Sequence, residues 1–176
     1  KDTPVSYGGF NPENFDRDFS GPVHAKDALI RSRNIPAVNL AMQLKTPGLY
    51  GFLKKAGMAP LKDESYYGLA LALGGAEMSM EKLGELYAML ANSGGLRPLR
   101  YFKTEDNSLR EQLLSGEACY MVLDMLEENP RPGQGFRQEW TADSLPVAWK
   151  TGTSYGFRAA WSAGIFGHYV LLVWVG

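Results

Sequence analysis

Two short constellations in this 176-residue chain combine side chains that can do chemistry. The first is Lys150-Thr151-Gly152-Thr153. A lysine, two hydroxyls and a glycine together make a carboxylate receptor. The ammonium supplies charge, the hydroxyls supply directed hydrogen bonds, and Gly152 lets another backbone come close. If the strand bearing them is a sheet edge, an extended peptide can pair with it. Taken alone, the run also fits a solvated strand lysine beside a turn glycine. The second constellation is Ser32-Arg33-Asn34. In an extended or turn conformation its hydroxyl and amide face one side while Arg33 points elsewhere. Ser and Asn between helices also cap backbone groups, so this triplet too is ambiguous in isolation.

The elements that must position these residues follow from periodicity. Residues 1–22 are turn-rich, and Phe10, Phe15 and Phe19 are expected to pin that segment by burial. Helices are predicted over 25–32 and 36–44, which places the Ser32 triplet on their connection. Thr46-Pro47 reads as an N-cap with proline at the first helical position, and Gly57 as the stop. Ser79 caps a helix whose Leu83, Leu86, Tyr87 and Leu90 fall at i, i+3, i+4 and i+7, ending at Asn92 and Gly94-Gly95. A further helix spans 115–129 with Cys119, Val122, Leu123 and Leu126 inward. Strands are predicted over 147–153, 160–166 and 169–175, the last two joined as a hairpin at Gly167-His168. Helices followed by an antiparallel sheet make an α+β chain.

Composition narrows the function class. With 45% hydrophobic and 21% charged residues and a net charge of −1, the chain reads as globular and lacks the clustered basic excess of a nucleic-acid binder. No apolar run approaches the roughly 20 residues needed to cross a bilayer. No signal-peptide pattern opens the chain, so any targeting segment is expected to lie outside it. The single cysteine, Cys119, has no disulfide or metal-ligand companion.

In combination the two constellations become specific. Ser-x-x-Lys, a Ser-x-Asn type triplet and Lys-Thr-Gly form the signature of penicillin-binding proteins and class A β-lactamases, and this chain holds the last two in that order. The flanks Phe10-Asn11-Pro12-Glu13-Asn14-Phe15-Asp16, Gly21-Pro22-Val23 and 28–38 resemble the bifunctional (class A) penicillin-binding proteins. So do Glu77-Met78-Ser79 and 90–95. Residues 148–158 look most like the penicillin-binding protein 1C branch. The resemblance implies a partial penicillin-binding-protein/serine β-lactamase-like fold, with a helical region of about 22–130 packed on an antiparallel sheet of about 145–176. On this reading residues 1–176 are the C-terminal part of one transpeptidase domain, truncated at both ends.

The resemblance also implies an activity. In the family a serine attacks the penultimate D-alanine carbonyl of a peptidoglycan stem peptide, and a second stem's amine resolves the acyl-enzyme. Ser32, Asn34 and Lys150 would be catalytic: Ser32 relays a proton, Asn34 orients the donor peptide, and Lys150 sets the electrostatics. Thr151, Gly152 and Thr153 would bind substrate, with the Thr153 N–H as half of an oxyanion hole. The implied partners are the D-Ala-D-Ala stem peptide, β-lactams and cell-wall synthesis proteins. No nucleic acid, cofactor or metal is implied. The segment itself would not touch the membrane, whereas its parent would be membrane-anchored, with this domain on the periplasmic side. Two departures stand out. Ala159 replaces an Asp usual in that branch, which would remove a partner of Arg158. Nothing between Lys1 and Arg31 matches Ser-x-x-Lys, so the nucleophile is expected elsewhere and this segment alone is expected to be inactive. A non-catalytic cell-wall or β-lactam binding module of the same fold is the alternative. A hydrolytic relative, carboxypeptidase or β-lactamase, is disfavoured by the class A flanks.

Other candidates read as structural. Ser79-Met80-Glu81-Lys82 satisfies Ser-x-x-Lys but follows Ser32, and is read as a helix cap with a solvated lysine. His24 and His168 have no ligand partner at useful spacing. Cys119 is expected to be buried, and Trp140, Trp149, Trp161 and Trp174 to supply core contacts. The functional site therefore requires the Ser32–Asn34 junction and the Lys150 strand to converge on one cleft.

Overall fold

The computed structural model describes residues 1–58, 60–130, 145–153 and 159–176. The chain divides into two compact units, Lys1–Met78 and Ser79–Gly176.

The first unit is helical: α1 (Ala25–Ile30), α2 (Asn34–Gln43), α3 (Gly48–Lys55), the short α4 (Glu64–Tyr67) and a 3-10 segment, Gly68–Leu73. Ile35 and Val38 of α2 are fully buried and form its core with Ala28, Leu53, Ala56, Met58, Tyr67 and Leu71. Helix α2 starts two residues earlier than periodicity suggested. Pro36 is tolerated there because the first turn of a helix needs no N–H from it. Helix α3 is capped by Pro47 rather than Thr46; the Pro47 carbonyl accepts the Gly51 N–H at 3.0 Å. It ends at Gly57, as expected. With φ +76° this glycine takes the left-handed position while the Met58 N–H returns to the Leu53 carbonyl at 3.1 Å.

Of the three phenylalanines expected to anchor residues 1–22 by burial, only Phe10 is half-buried. Phe15 is 76% exposed and Phe19 is also exposed. The segment is instead held by polar closure. Asp2 and Gly21 exchange backbone hydrogen bonds at 2.8 and 2.9 Å, and Asp2 and Asn14 are buried. Aromatic spacing suggested apolar docking because the partner of a buried carboxylate cannot be seen in local sequence.

The second unit packs α5 (Met80–Ala91) and α6 (Gly116–Glu127) with a three-stranded antiparallel sheet ordered β3-β4-β5 (Ala148–Thr153, Ala160–Phe166, Tyr169–Val175). A two-residue ladder, β1 (Gly95–Leu96) with β2 (Glu111–Gln112), follows α5. The strands lie within a residue of their predicted bounds because strict alternation and the Gly167-His168 turn fix them locally. Their register, with Lys150 opposite Ala163 and Ala163 opposite Leu172, puts Ala148, Lys150, Ala163, Ile165 and Leu172 on one face. That face meets the helices: Gly84 of α5 sits where even a methyl group would lie 3.5 Å from Leu172 Cδ1, and Cys119 and Leu126 of α6 are buried. On the other face Val147, Trp149, Ser162, Gly164, Phe166, Leu171 and Val173 line an apolar groove of about 340 Å³. Of the tryptophans expected in the core, Trp149 and Trp161 are partly buried, Trp174 is exposed on the edge strand, and Trp140 lies outside the described residues.

Ser79 caps α5, its hydroxyl accepting the Lys82 N–H at 3.2 Å. Replacing it by alanine should lower stability by about 1 kcal/mol, read as a shifted urea midpoint. An unchanged midpoint would mean the cap contributes nothing.

Candidate active site

The Ser-Arg-Asn triplet lies at the junction of α1 and α2. Helix α1 closes in a six-residue turn: the Ser32 N–H reaches the Leu29 carbonyl at 3.1 Å and the Arg33 N–H reaches the Ala28 carbonyl at 2.9 Å. This closure demands a left-handed residue after the cap, a position normally filled by glycine. Here Ser32 fills it, with φ +54°. A non-glycine residue pays roughly 1–2 kcal/mol for that conformation. Ser93 has the same geometry after α5, so the conformation alone does not mark a site. What sets Ser32 apart is its neighbours.

Arg33 is 8% exposed and turns into the unit. Its Nε donates to Asp2 Oδ2 at 2.7 Å, its Nη1 to Asp16 Oδ2 at 2.6 Å, and its Nη2 to the Asp18 carbonyl. The Asp2 carboxylate, fully buried, also accepts from Asn14 Nδ2 at 2.7 Å and from the Ser20 N–H at 3.0 Å. Burial acts to raise the Asp2 pKa, but the hydrogen bonds from Asn14, Ser20 and Arg33 outweigh it and hold the carboxyl below its ordinary value. Asn34 is gripped from the same segment: its N–H donates to Asn14 Oδ1 at 2.9 Å and its Nδ2 to the Glu13 carbonyl at 2.7 Å. The expectation that Arg33 points away from the hydroxyl–amide pair thus holds, and its destination is a buried ion pair.

Lys150, Thr151, Gly152 and Thr153 lie along β3, which is an edge strand among the described residues. The Lys150 ammonium is partly buried and folds back to donate to the Thr151 carbonyl at 2.9 Å. Burial pushes its pKa below that of an ordinary lysine. In the pleat Lys150 and Gly152 share one face, and Thr151 and Thr153 share the other. A Cβ on Gly152 would meet only an ordinary contact, Trp161 Cβ at 3.8 Å, so the packing of β4 does not itself require a glycine there. At the strand's start Trp149 and Asn129 exchange hydrogen bonds, ring Nε1 to carbonyl and amide Nδ2 to carbonyl, each at 3.0 Å. This exchange ties β3 to the end of α6.

The structure therefore brings Ser32 and Asn34 together in the first unit, and Lys150, Thr151, Gly152 and Thr153 together in the second. Arg158 lies outside the described residues, whereas Ala159 is described and half-buried. The residues that sequence reasoning missed are Asp2, Asn14 and Asp16. Asn14 and Asp16 stood in the resemblance-bearing run 10–16 with no role assigned to them, and Asp2 had no signal beyond the density of short polar side chains in 2–18.

The Ser79-Met80-Glu81-Lys82 match to Ser-x-x-Lys is structural. Ser79 caps its helix, and Lys82 pairs with Glu85 rather than standing in solvent. Cys119 is buried, and burial raises its thiol pKa. Among the described residues no three His, Cys, Asp or Glu side chains gather as a metal site, and no helix is long and apolar enough to cross a membrane.

Lys-Thr-Gly thus lies on a strand at the sheet's edge among the described residues, and Ser-x-Asn at a clamped helical junction. The chain belongs to the penicillin-binding protein transpeptidase domain family, whose model matches residues 1–165. It is 34% identical to penicillin-binding protein 1C of Escherichia coli over 185 residues, all of this chain and 22% of that protein. It is 30% identical to penicillin-binding protein 1B of the same organism, over 95% of the chain and 21% of that protein. These place it with the class A proteins. The fold matches the crystal structure of penicillin-binding protein 1A from Haemophilus influenzae with a TM-score of 0.74 at 20% identity, covering the whole chain and 34% of that structure. The chain thus spans about a fifth of the length of these curated relatives.

Two outcomes test this geometry. Ser32→Gly should raise stability by about 1 kcal/mol by relieving the left-handed serine, measured by urea unfolding; a loss would mean the hydroxyl contributes more than the strain costs. Because the native pKa of Asp2 lies below its ordinary 3.8, its stabilisation is complete above that value and is lost as pH falls through the native pKa. Asp2→Asn should therefore flatten the acid limb of a stability–pH curve, and an unchanged limb would remove Asp2 from acid unfolding.

Proposed function

We propose that this chain is part of a peptidoglycan D,D-transpeptidase that cross-links stem peptides through an acyl-serine intermediate and is blocked by β-lactams. The observation that carries the reading is the β3 edge: a partly buried ammonium and two threonines lie along a strand margin that no other described strand occupies. A stem peptide adds to that margin as an extended strand. Lys150, with Thr151 and Thr153 from the opposite face of the pleat, receives the terminal D-alanine carboxylate. The space at Gly152 admits the peptide backbone.

Ser32 and Asn34 supply the relay hydroxyl and the orienting amide. The Ser32 hydroxyl both accepts and donates, so it passes a proton between the catalytic pair and the leaving amine. The Asn34 Nδ2 is committed to the Glu13 carbonyl, and its Oδ1 then accepts from the amide of the donor peptide. The nucleophilic serine attacks the penultimate D-alanine carbonyl and terminal D-alanine leaves. The amine of a second stem then attacks the ester and frees the serine. The Thr153 N–H supplies one oxyanion donor, worth about 10²–10³ in rate when the nucleophile is present. That nucleophile belongs to a Ser-x-x-Lys outside these 176 residues, so the segment alone does not acylate. The parent protein also polymerises glycan, is membrane-anchored, and carries this domain on the periplasmic side among cell-wall synthesis proteins.

A non-catalytic cell-wall or β-lactam binding module is the second reading, favoured by Ala159 in place of the branch's usual Asp. Fluorescent penicillin separates the two. The 176-residue chain should take no label, a parent containing Ser-x-x-Lys should, and Lys150→Ala should slow labelling by about 10²-fold or more. A parent that never labels would leave only the binding module, and an unchanged rate in Lys150→Ala would take Lys150 out of the mechanism.

A further inference from the structure

Arg33 has no part in the proton relay or in peptide binding, yet it is buried and anchored to Asp2, Asp16, Asp18 and Ala28. We propose that Arg33, with Asp2 and Asn14, is the positioning device that sets the Ser32 hydroxyl and the Asn34 amide in register, an inference that rests on the transpeptidase reading of those two residues.

The central observation is that one carboxylate holds both arms of the triplet. Asp2 Oδ2 takes the Nε of Arg33, the residue directly after Ser32. Asp2 Oδ1 takes the Nδ2 of Asn14, whose Oδ1 in turn takes the Asn34 N–H. Asn14 Nδ2 is shared with the Asp18 carbonyl at 2.9 Å, so it cannot swing without breaking two contacts. Asp2 is itself fixed by the Ser20 N–H and by its backbone exchange with Gly21. Every lone pair and N–H in this chain of contacts is directional, so the network specifies orientation as well as proximity.

Stability alone does not account for the arrangement. A buried ion pair is often no more stabilising than apolar residues of similar volume, and its best-attested benefit is conformational specificity. A glycine at 32 would satisfy the closure of α1 without strain. A serine in that position, followed at once by an inward-locked arginine, is what a site needs if the hydroxyl must stand outward at one angle. Ser32 is exposed while Arg33 is buried, so adjacent side chains take opposite directions across the junction.

The test uses the parent protein with its Ser-x-x-Lys, labelled with fluorescent penicillin under conditions that separate the non-covalent dissociation constant from the acylation rate constant of the molecules that label. Asp2→Asn and Arg33→Lys should each lower the acylation rate constant by about tenfold or more while the dissociation constant stays within about twofold, because misplacing a relay group slows chemistry more than binding. If Asp2→Asn does not fold, Asp16→Asn is the milder variant. Its carboxylate is 51% exposed, and it should lower the rate about threefold. Arg17→Ala breaks only the exposed 3.7 Å pair with Glu13 and should label as wild type. A wild-type rate constant in the labelling fraction of the network variants, whatever their yield or melting temperature, would make the network a structural clamp and overturn the inference. A wild-type parent that takes no label would instead sink the transpeptidase reading, and this inference with it.

Discussion

The buried ion pair between Arg33 and Asp2 is the constraint on which the first unit depends. A carboxylate with no exposed surface and a guanidinium that is nearly as enclosed can coexist only if their donors and acceptors are met. Meeting them draws the turn-rich N-terminal segment over the junction of α1 and α2. Asn14, Asp16, Asp18 and Ser20 all contribute to that closure from 14–20. The left-handed serine is tolerated inside this frame because the residues on either side of it are held by separate partners. Removing Arg33 would leave the Asp2 carboxylate buried without a countercharge, whereas removing Asp2 would leave Arg33 its half-exposed partner Asp16.

The second unit solves a different problem, which is to hold rigid a strand whose outer edge meets no other described strand. Strand β3 is braced on one side by β4 along its whole length and at its start by the Trp149–Asn129 exchange. Helices α5 and α6 cover one face of the sheet, with Gly84 facing Leu172 at ordinary contact distance. The partly buried lysine is then the only cation on the strand, and its lowered pKa reflects the loss of water around it. Desolvation of that kind makes an ammonium a stronger partner for an arriving carboxylate than a lysine in bulk water.

Much of the fold was legible because its signals are local. Ser79 and Ser115 cap the helices predicted from them, each accepting an N–H three residues on at 3.2 Å. The hairpin at Gly167-His168 follows from one glycine at φ +54° between alternating strands. The misreadings differ in origin: one concerns a long-range polar closure and the other a local i,i+3 ion pair. Phe15 and Phe19 looked like anchors because large aromatics usually are. Lys82 looked solvated because nothing in Ser-x-x-Lys announces Glu85 as its ion-pair partner.

The sequence by itself determined which residues are chemically equipped and on what kind of element they sit: a hydroxyl–amide pair between two helices, and an ammonium with two threonines on a strand. Caps, periods and turn residues act over a few positions, so they can be read along the chain. Only the tertiary structure decided that Arg33 is withdrawn onto Asp2, thirty-one positions away, that Ser32 takes a left-handed backbone, and that α5 and α6 belong with the sheet. Those outcomes depend on which buried charges find each other when the chain closes. Burial is a property of the closed chain and leaves no periodic trace in the order of its residues.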